Sequence, residues 1–135
     1  MTQEEKDLLI KDLCARLFFG VKVLYNTQIF EVQYIEPMYE EIKLLDNENY
    51  TLSIDEVKPY LFPLENMKEE QRRYINDRWG VNEKFDFEID PDWGKYFVEL
   101  GDVLGFINWC YENHLDINGL IPKDLANDAT GLNIY

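Results

Sequence analysis

The chain has 135 residues, of which 46% are hydrophobic and 15% aromatic, and these values suit one compact domain with a single core. Thirteen Lys and Arg residues stand against 27 Asp and Glu residues, and the net charge of −14 disfavours direct binding to nucleic acid or to anionic membranes. Two distant cysteines, Cys14 and Cys110, indicate a reducing compartment. The sequence has no apolar run long enough to span a membrane, so we expect a cytoplasmic protein.

The N-terminal residues predict an amphipathic helix over about 3–18. Apolar residues such as Leu9, Leu13 and Phe18 recur there near helical spacing, with charged residues between them. Thr2 and Glu5 match a capping box, and Gly20 suits the left-handed conformation that ends many helices.

Two β-hairpins are predicted next. Residues 21–25 have a period of two, and a polar turn separates them from residues 29–35, which is typical of a hairpin. After Pro37, residues 39–45 and 50–53 predict a second pair of strands around a turn rich in Asn and Asp.

The segment after these hairpins is predicted to close the sheet. Ser53 and Glu56 form another potential capping box, but only for a single turn, because Pro59 disfavours the α conformation at the residue before it. Residues 57–64 should therefore be extended and should place apolar side chains against the sheet.

A short charged helix is predicted over 67–79, beginning with Asn66 and Glu69 and ending at Gly80. The alternating residues 81–89 then predict a strand with one buried face.

The last predicted helix has the strongest periodicity in the chain. Asp90 precedes Pro91 as an N-cap, and the helix could extend to Asn113. Gly101 and Gly105 lie one turn apart, so we expect the sheet or the first helix to approach the backbone closely there. The expected apolar stripe consists of Tyr96, Phe97, Leu100, Val103, Leu104, Ile107, Cys110 and Tyr111.

These elements predict a single α+β domain over residues 1–135. It contains an N-terminal helix, a small, strongly bent antiparallel sheet and a C-terminal apolar helix packed on that sheet. The tail after residue 115 adds one short turn that opens at Pro122.

His114 is the only histidine, and it follows Cys110 by four residues on the same side of the last helix. A thiolate–imidazolium pair there could activate a nucleophile. The alternative is a buried cysteine and a histidine whose charge complements the helix dipole. Ligand spacing fits neither a zinc site nor an EF-hand, and no phosphate-binding glycine motif occurs. We therefore expect no catalytic residues, metal or cofactor.

Acidic residues of the predicted strand suggest a binding surface. Asp86, Glu88 and Asp90 would project from one face about 6.6 Å apart, at twice the rise per residue. Phosphates of one DNA strand are spaced by about 7 Å, so this row could imitate a nucleic-acid backbone. The alternative is that Asp90 and Asp92 serve the helix start and that the others line a solvated strand face.

Three aromatic residues, Tyr60, Trp93 and Trp109, are candidates for anchoring a partner, because Tyr and Trp are enriched at interface hot spots. Packing in the core is the alternative for each of them.

Three segments, 11–17, 56–63 and 109–121, resemble a group of small uncharacterised acidic proteins from phages and integrated elements of anaerobic gut bacteria. The resemblance implies a genomic setting in which small acidic proteins often act on host machinery. We therefore expect a non-enzymatic interaction protein that binds a Lys/Arg-rich surface of a host protein, for instance to inhibit a nucleic-acid-binding defence factor. The alternatives are a structural or accessory phage protein and an enzyme that uses Cys110 and His114.

Overall fold

The computed structural model describes residues 1–47, 51–81 and 100–135, with the side chains of all of these except 100–102. The predicted α+β class is confirmed. The helices of the described residues are α1 (Gln3–Arg16), α2 (Glu69–Trp79) and α3 (Leu100–Glu112). The strands are β1 (Lys22–Tyr25), β2 (Gln28–Glu36), β3 (Glu41–Leu44), β4 (Leu52–Ser53), β5 (Lys58–Leu61) and β6 (Asn127–Asp128).

Helix α1 begins with the predicted capping box. The Glu5 amide donates to the Thr2 hydroxyl at 3.2 Å, and the Thr2 amide donates back to the Glu5 carboxylate at 2.8 Å. After Arg16 the backbone tightens into a 3₁₀ turn, Leu17–Phe19, and Gly20 leaves it at φ 71°. The expected place of Phe18 on the apolar face is wrong, since its side chain is 94% exposed. The 3₁₀ turn has three residues per turn, which rotates Phe18 away from that face.

The six strands form one sheet in the order β4-β3-β2-β1-β5-β6. Asn26 and Thr27 join β1 to β2 with φ values of 49° and 67°, and positive φ at both central residues is the condition for a turn whose twist matches the strands. A register shift between Val32 and Tyr34 interrupts the β2–β3 ladder. Such a shift increases the local twist of the paired strands, which agrees with the strong bend predicted for the sheet.

The sheet differs from the prediction because it is mixed. Strand β6 pairs in parallel with β5, with Tyr60 opposite Asn127. Beyond the strand, the Ala129 amide donates to the Leu61 carbonyl at 2.8 Å. The polar residues Asn127 and Asp128 carry no strand pattern, so this pairing depends on tertiary contacts that the sequence alone does not show.

Two apolar clusters lie next to each other. The first packs α1 against the inner face of the sheet, and part of the tail completes it. The second lies between α2 and α3. The first includes Leu9, Ile10, Leu13, Val21, Val23, Val32, Ile42, Leu44, Leu61, Leu120 and Leu125, and the second Met67, Ile75, Val81, Phe106, Cys110 and Leu115.

The glycine at position 105 marks a close helix contact, but with a different element from the one expected. A Cβ built on Gly105 would lie 3.2 Å from the indole nitrogen of Trp79, so the approaching element is α2 rather than the sheet or α1. The expected stripe is also rotated, because Leu104 is 56% exposed whereas Phe106 is buried. Lys68 is the N-cap residue of α2, and its backbone amide donates to Gln71 Oε1 at 3.0 Å, whereas Asn66 belongs to the preceding 3₁₀ turn, Leu64–Asn66.

A buried ion pair connects the two clusters. Arg16 Nε donates to Asp12 Oδ1 at 2.6 Å, and both side chains are 0% exposed. Arg16 Nη2 also donates to the Leu115 carbonyl at 2.6 Å, and Asn118 donates to Asp12 Oδ2 at 2.8 Å. The guanidinium lies 4.9 Å from the centre of the Tyr111 ring. Helix α1 is thereby fixed to the segment that follows α3.

Several predictions concern residues 82–99, which lie outside the described residues. These are the strand 81–89 beyond Val81 and the helix start at Asp90 and Pro91. The close approach expected at Gly101 likewise concerns a position whose surroundings lie outside the described set.

Candidate interaction surface

The structure places only two of the predicted partner-binding residues. Tyr60 is buried in β5, so its ring is not the exposed anchor that the prediction requires. Trp109 is half-buried on α3. The remaining members, Asp86, Glu88, Asp90, Asp92 and Trp93, lie outside the described residues.

Trp109 belongs to an aromatic cluster that joins α2 and α3. Its ring stacks on Tyr74 with centroids 5.6 Å apart, and it lies 6.2 Å from Trp79, which in turn meets Phe106 edge-on. These contacts agree with the alternative of core packing for Trp109. Tyr74 is 48% exposed, so the cluster reaches the surface through tyrosine.

Cys110 and His114 are both buried, and their environments keep both uncharged at neutral pH. Burial raises the pKa of Cys110 to about 12. Burial, together with the charges of Arg16 and Lys22, lowers the pKa of His114 to about 4. The alternative in which a charged His114 complements the helix dipole is therefore wrong on the charge, although the burial of Cys110 agrees with it. Asp116 does not orient the imidazole, because its two oxygens accept the amides of residues 120 and 121 at 2.8 and 2.9 Å.

His114 stacks on Tyr135, with ring centroids 3.5 Å apart and an interplanar angle of 12°. A cleft of about 390 Å³ opens beside this stack, between the start of α2, the end of α3 and the tail. Amide side chains supply part of its lining, among them Gln71, Asn113 and Asn133. The cleft thus offers hydrogen-bonding groups around an imidazole that is neutral at pH 7.

The most exposed apolar pair of neighbouring residues lies in the connection between β2 and β3, at least within the described chain. Residues 36–41, called here the 36–41 turn, contain a 3₁₀ turn that begins at Pro37, whose ring fixes φ for such a start. Met38 is 82% exposed and Tyr39 is 68% exposed. Glu40 closes the turn at φ 53°, and its amide donates to the Pro37 carbonyl at 3.3 Å.

Two glutamates face each other at the base of the 36–41 turn. Glu36 ends β2 and Glu41 begins β3, and they are direct cross-strand partners. Like charges directly opposite each other destabilise a sheet. Neither carboxylate has a hydrogen bond or an ion pair within the described part of the chain.

Glu40, by contrast, has several partners that hold the turn. Lys6 Nζ lies 3.3 Å from its carboxylate and 3.4 Å from that of Asp55, and Gln3 donates to it at 2.9 Å. The hydrogen bonds from Gln3 and Lys6 lower the pKa of Glu40. The bonds to Glu40 and Asp55 raise the pKa of Lys6. The start of α1 is therefore bound to the 36–41 turn.

The sequence prediction did not single out the 36–41 turn, because Tyr39 was assigned to a strand. The signal that could have found it is a proline followed by two apolar residues and bracketed by glutamates, Glu36 on one side and Glu40 and Glu41 on the other. Apolar residues that lie between a turn-forming proline and several carboxylates are seldom buried in a core.

No family model, curated protein or solved structure matches the chain. Within residues 1–47, 51–81 and 100–135, no group of three or more His, Cys, Asp or Glu side chains is arranged to hold a metal ion. In the same part of the chain, the helices are too short or too polar to cross a membrane.

Proposed function

We propose that the chain is a non-enzymatic acidic interaction protein that binds a Lys/Arg-rich surface of another protein. The resemblance to small acidic phage proteins makes a host protein the expected partner, with a nucleic-acid-binding defence factor as one such target. The neutral states of Cys110 and His114 support a non-enzymatic role, because a thiolate–imidazolium pair needs both groups charged.

The observation that carries this proposal is the excess of surface carboxylates over the cations that neutralise them. Residues 1–47 contain nine acidic and five basic side chains, and residues 100–135 contain five and one. Exposed carboxylates without an ion-pair partner among the described residues include Glu4, Glu36, Asp46, Glu65, Glu70 and Glu112.

Such a surface favours encounter with a basic partner. Complementary charge raises association rates, and salt screens it beyond about 8 Å at physiological ionic strength. A Lys/Arg-rich surface also supplies the counter-charges that these carboxylates lack.

Affinity capture of a partner from host lysate, followed by association kinetics with the purified partner, tests the proposal. We expect the association rate to fall steeply as ionic strength rises, with a smaller change in the dissociation rate. An association rate that does not respond to salt, or a captured partner without a basic surface, would contradict the proposal.

A pair of charge-matched variants separates the predicted acidic row from global charge. Asp86→Asn with Glu88→Gln removes two charges from the row, and Glu4→Gln with Asp7→Asn removes two from α1. Equal losses of affinity would favour a mechanism based on total charge, whereas a much larger loss for the first variant would favour imitation of a phosphate backbone.

A further inference from the structure

The 36–41 turn presents two apolar side chains at the tip of a hairpin. Met38 and Tyr39 are adjacent in sequence, and both are mostly exposed. Met and Tyr are enriched in the buried centres of protein interfaces, where one large side chain often fills a pocket of the partner. This turn therefore has the composition of an interface anchor.

The charges beside Met38 and Tyr39 indicate the chemistry of the partner surface that would bind them. Glu36 and Glu41 oppose each other across the two strands and lack a counter-charge in the described part of the chain. Like charges at directly opposite positions of a sheet repel each other, so a cation placed between or beside these two residues would stabilise the pair. A partner with Lys or Arg at the edge of its apolar pocket meets both requirements.

The turn is also held in place before any partner arrives. Lys6 and Gln3 fix Glu40 from α1, and the Ile54 amide donates to the Glu40 carbonyl at 2.9 Å. An anchor that is already ordered loses less conformational entropy on binding.

We propose that the 36–41 turn is the surface through which the chain binds its partner. Met38 and Tyr39 enter an apolar pocket of a protein, and Lys or Arg residues at the edge of that pocket pair with Glu36 and Glu41. This inference rests on the proposed function and names its contact surface. A second copy of the chain is a poor occupant, because two turns would bring carboxylates together on molecules that each carry a charge of −14. An anionic membrane is disfavoured for the same reason.

The test places a photo-crosslinking benzoylphenylalanine at position 39 of the full chain, and at position 18 as the control. Phe18 is aromatic, 94% exposed and outside the turn, so a probe there is at least as accessible as one at Tyr39, which is 68% exposed. We expect position 39, and not position 18, to cross-link the captured partner at an apolar segment bordered by Lys or Arg.

Binding of the purified partner to two further variants completes the test. The double substitution Met38→Ser with Tyr39→Ser should weaken binding by about tenfold or more, whereas Phe18→Ser should leave it unchanged. Circular dichroism of each variant verifies that the fold is retained.

Replacement of the two glutamates should change stability and binding in opposite directions, and a merely structural role would not produce that combination. Glu36→Gln with Glu41→Gln should raise the melting temperature of the free protein, because it removes the cross-strand repulsion, and should also weaken binding. The control, Glu65→Gln with Glu70→Gln, changes the net charge equally at two exposed sites outside the turn. It should affect binding less and should not raise the melting temperature in the same way.

The outcomes distinguish this inference from the proposed function. If the chain binds a basic partner in a salt-dependent way, but no substitution in the 36–41 turn changes the affinity, the inference is overturned and the proposed function stands. A cross-link from position 39 only to a second copy or to lipid would overturn the assigned occupant. The absence of any partner with salt-dependent binding would overturn both.

Discussion

Replacement of Arg16 by methionine tests whether the buried ion pair holds the two apolar clusters together. Methionine preserves much of the volume but removes the two bonds to Asp12, at 2.6 and 3.1 Å, and the bond to the Leu115 carbonyl at 2.6 Å. The Asp12 carboxylate would stay buried with Asn118 as its side-chain donor. Breaking a buried pair in this way typically costs about 3–5 kcal/mol, which corresponds to a fall of about 10–20 °C in melting temperature for a domain of this size.

Chemical denaturation followed by circular dichroism at neutral pH measures this loss, and a double-mutant cycle assigns it. Asp12→Leu combined with Arg16→Met removes both charges, so the double variant should be less destabilised than Arg16→Met alone. The control is Arg73→Met, because Arg73 and Glu69 have the same four-residue spacing but lie 3.9 Å apart with both side chains at least 70% exposed. Its loss should stay below about 0.5 kcal/mol. An Arg16→Met loss under about 1 kcal/mol, or strictly additive single losses, would refute this role for the pair.

Three further predictions concern Gly105, His114 and the two cysteines. Gly105→Leu should lower the free energy of unfolding by about 1–3 kcal/mol, because the new side chain meets the Trp79 indole, and thermal melting measures the loss. The NMR titration of His114 should show a pKa near 4. Since the unfolded chain takes up this proton near pH 6.5, the stability advantage over His114→Asn should fall by about 1 kcal/mol per pH unit between pH 6.5 and 4. A thiol reagent should label Cys14 in the native protein and Cys110 only after unfolding; rapid native labelling of Cys110 would contradict its burial.

Local signals explain which parts of the fold were predictable. The Thr2–Glu5 and Ser53–Glu56 capping boxes both form as predicted, and Gly20 and Gly80 both end helical segments with positive φ. Each of these features depends on residues a few positions apart, so the sequence contains all the information that determines it.

Features that depend on distant residues were not predictable. The sequence separates Asp12 from Arg16 by four residues and Glu69 from Arg73 by the same four, yet the first pair is fully buried and the second is exposed. The difference comes from the Leu115 carbonyl, about a hundred residues away in the chain, which needs a donor in the interior. The pairing of β6 with β5 likewise depends on contacts between residues that are far apart in the chain.

The exposure of Met38 and Tyr39 was not predictable from the local sequence either. A periodicity argument assigns Tyr39 to a strand, because an aromatic residue beside an alternating segment normally packs. In the structure, Pro37 starts a separate turn and Glu40 pairs with Lys6 of α1, and Met38 and Tyr39 lie outside both apolar clusters. The pairing of Glu40 with Lys6 joins distant parts of the chain, so the pattern around Tyr39 does not show it.

Charged contacts hold helix α1 at both ends, and one of them is buried whereas the other lies near the surface. At its C-terminal end Arg16 is buried and bonded to Asp12 and Leu115, whereas at its N-terminal end Lys6 joins two carboxylates near the surface. Salt screens the second contact strongly and the first one weakly. Raising the salt concentration should therefore weaken the contact between Lys6 and the 36–41 turn before it affects the buried end of the helix. The buried pair keeps the two apolar clusters joined under conditions that screen the surface contact.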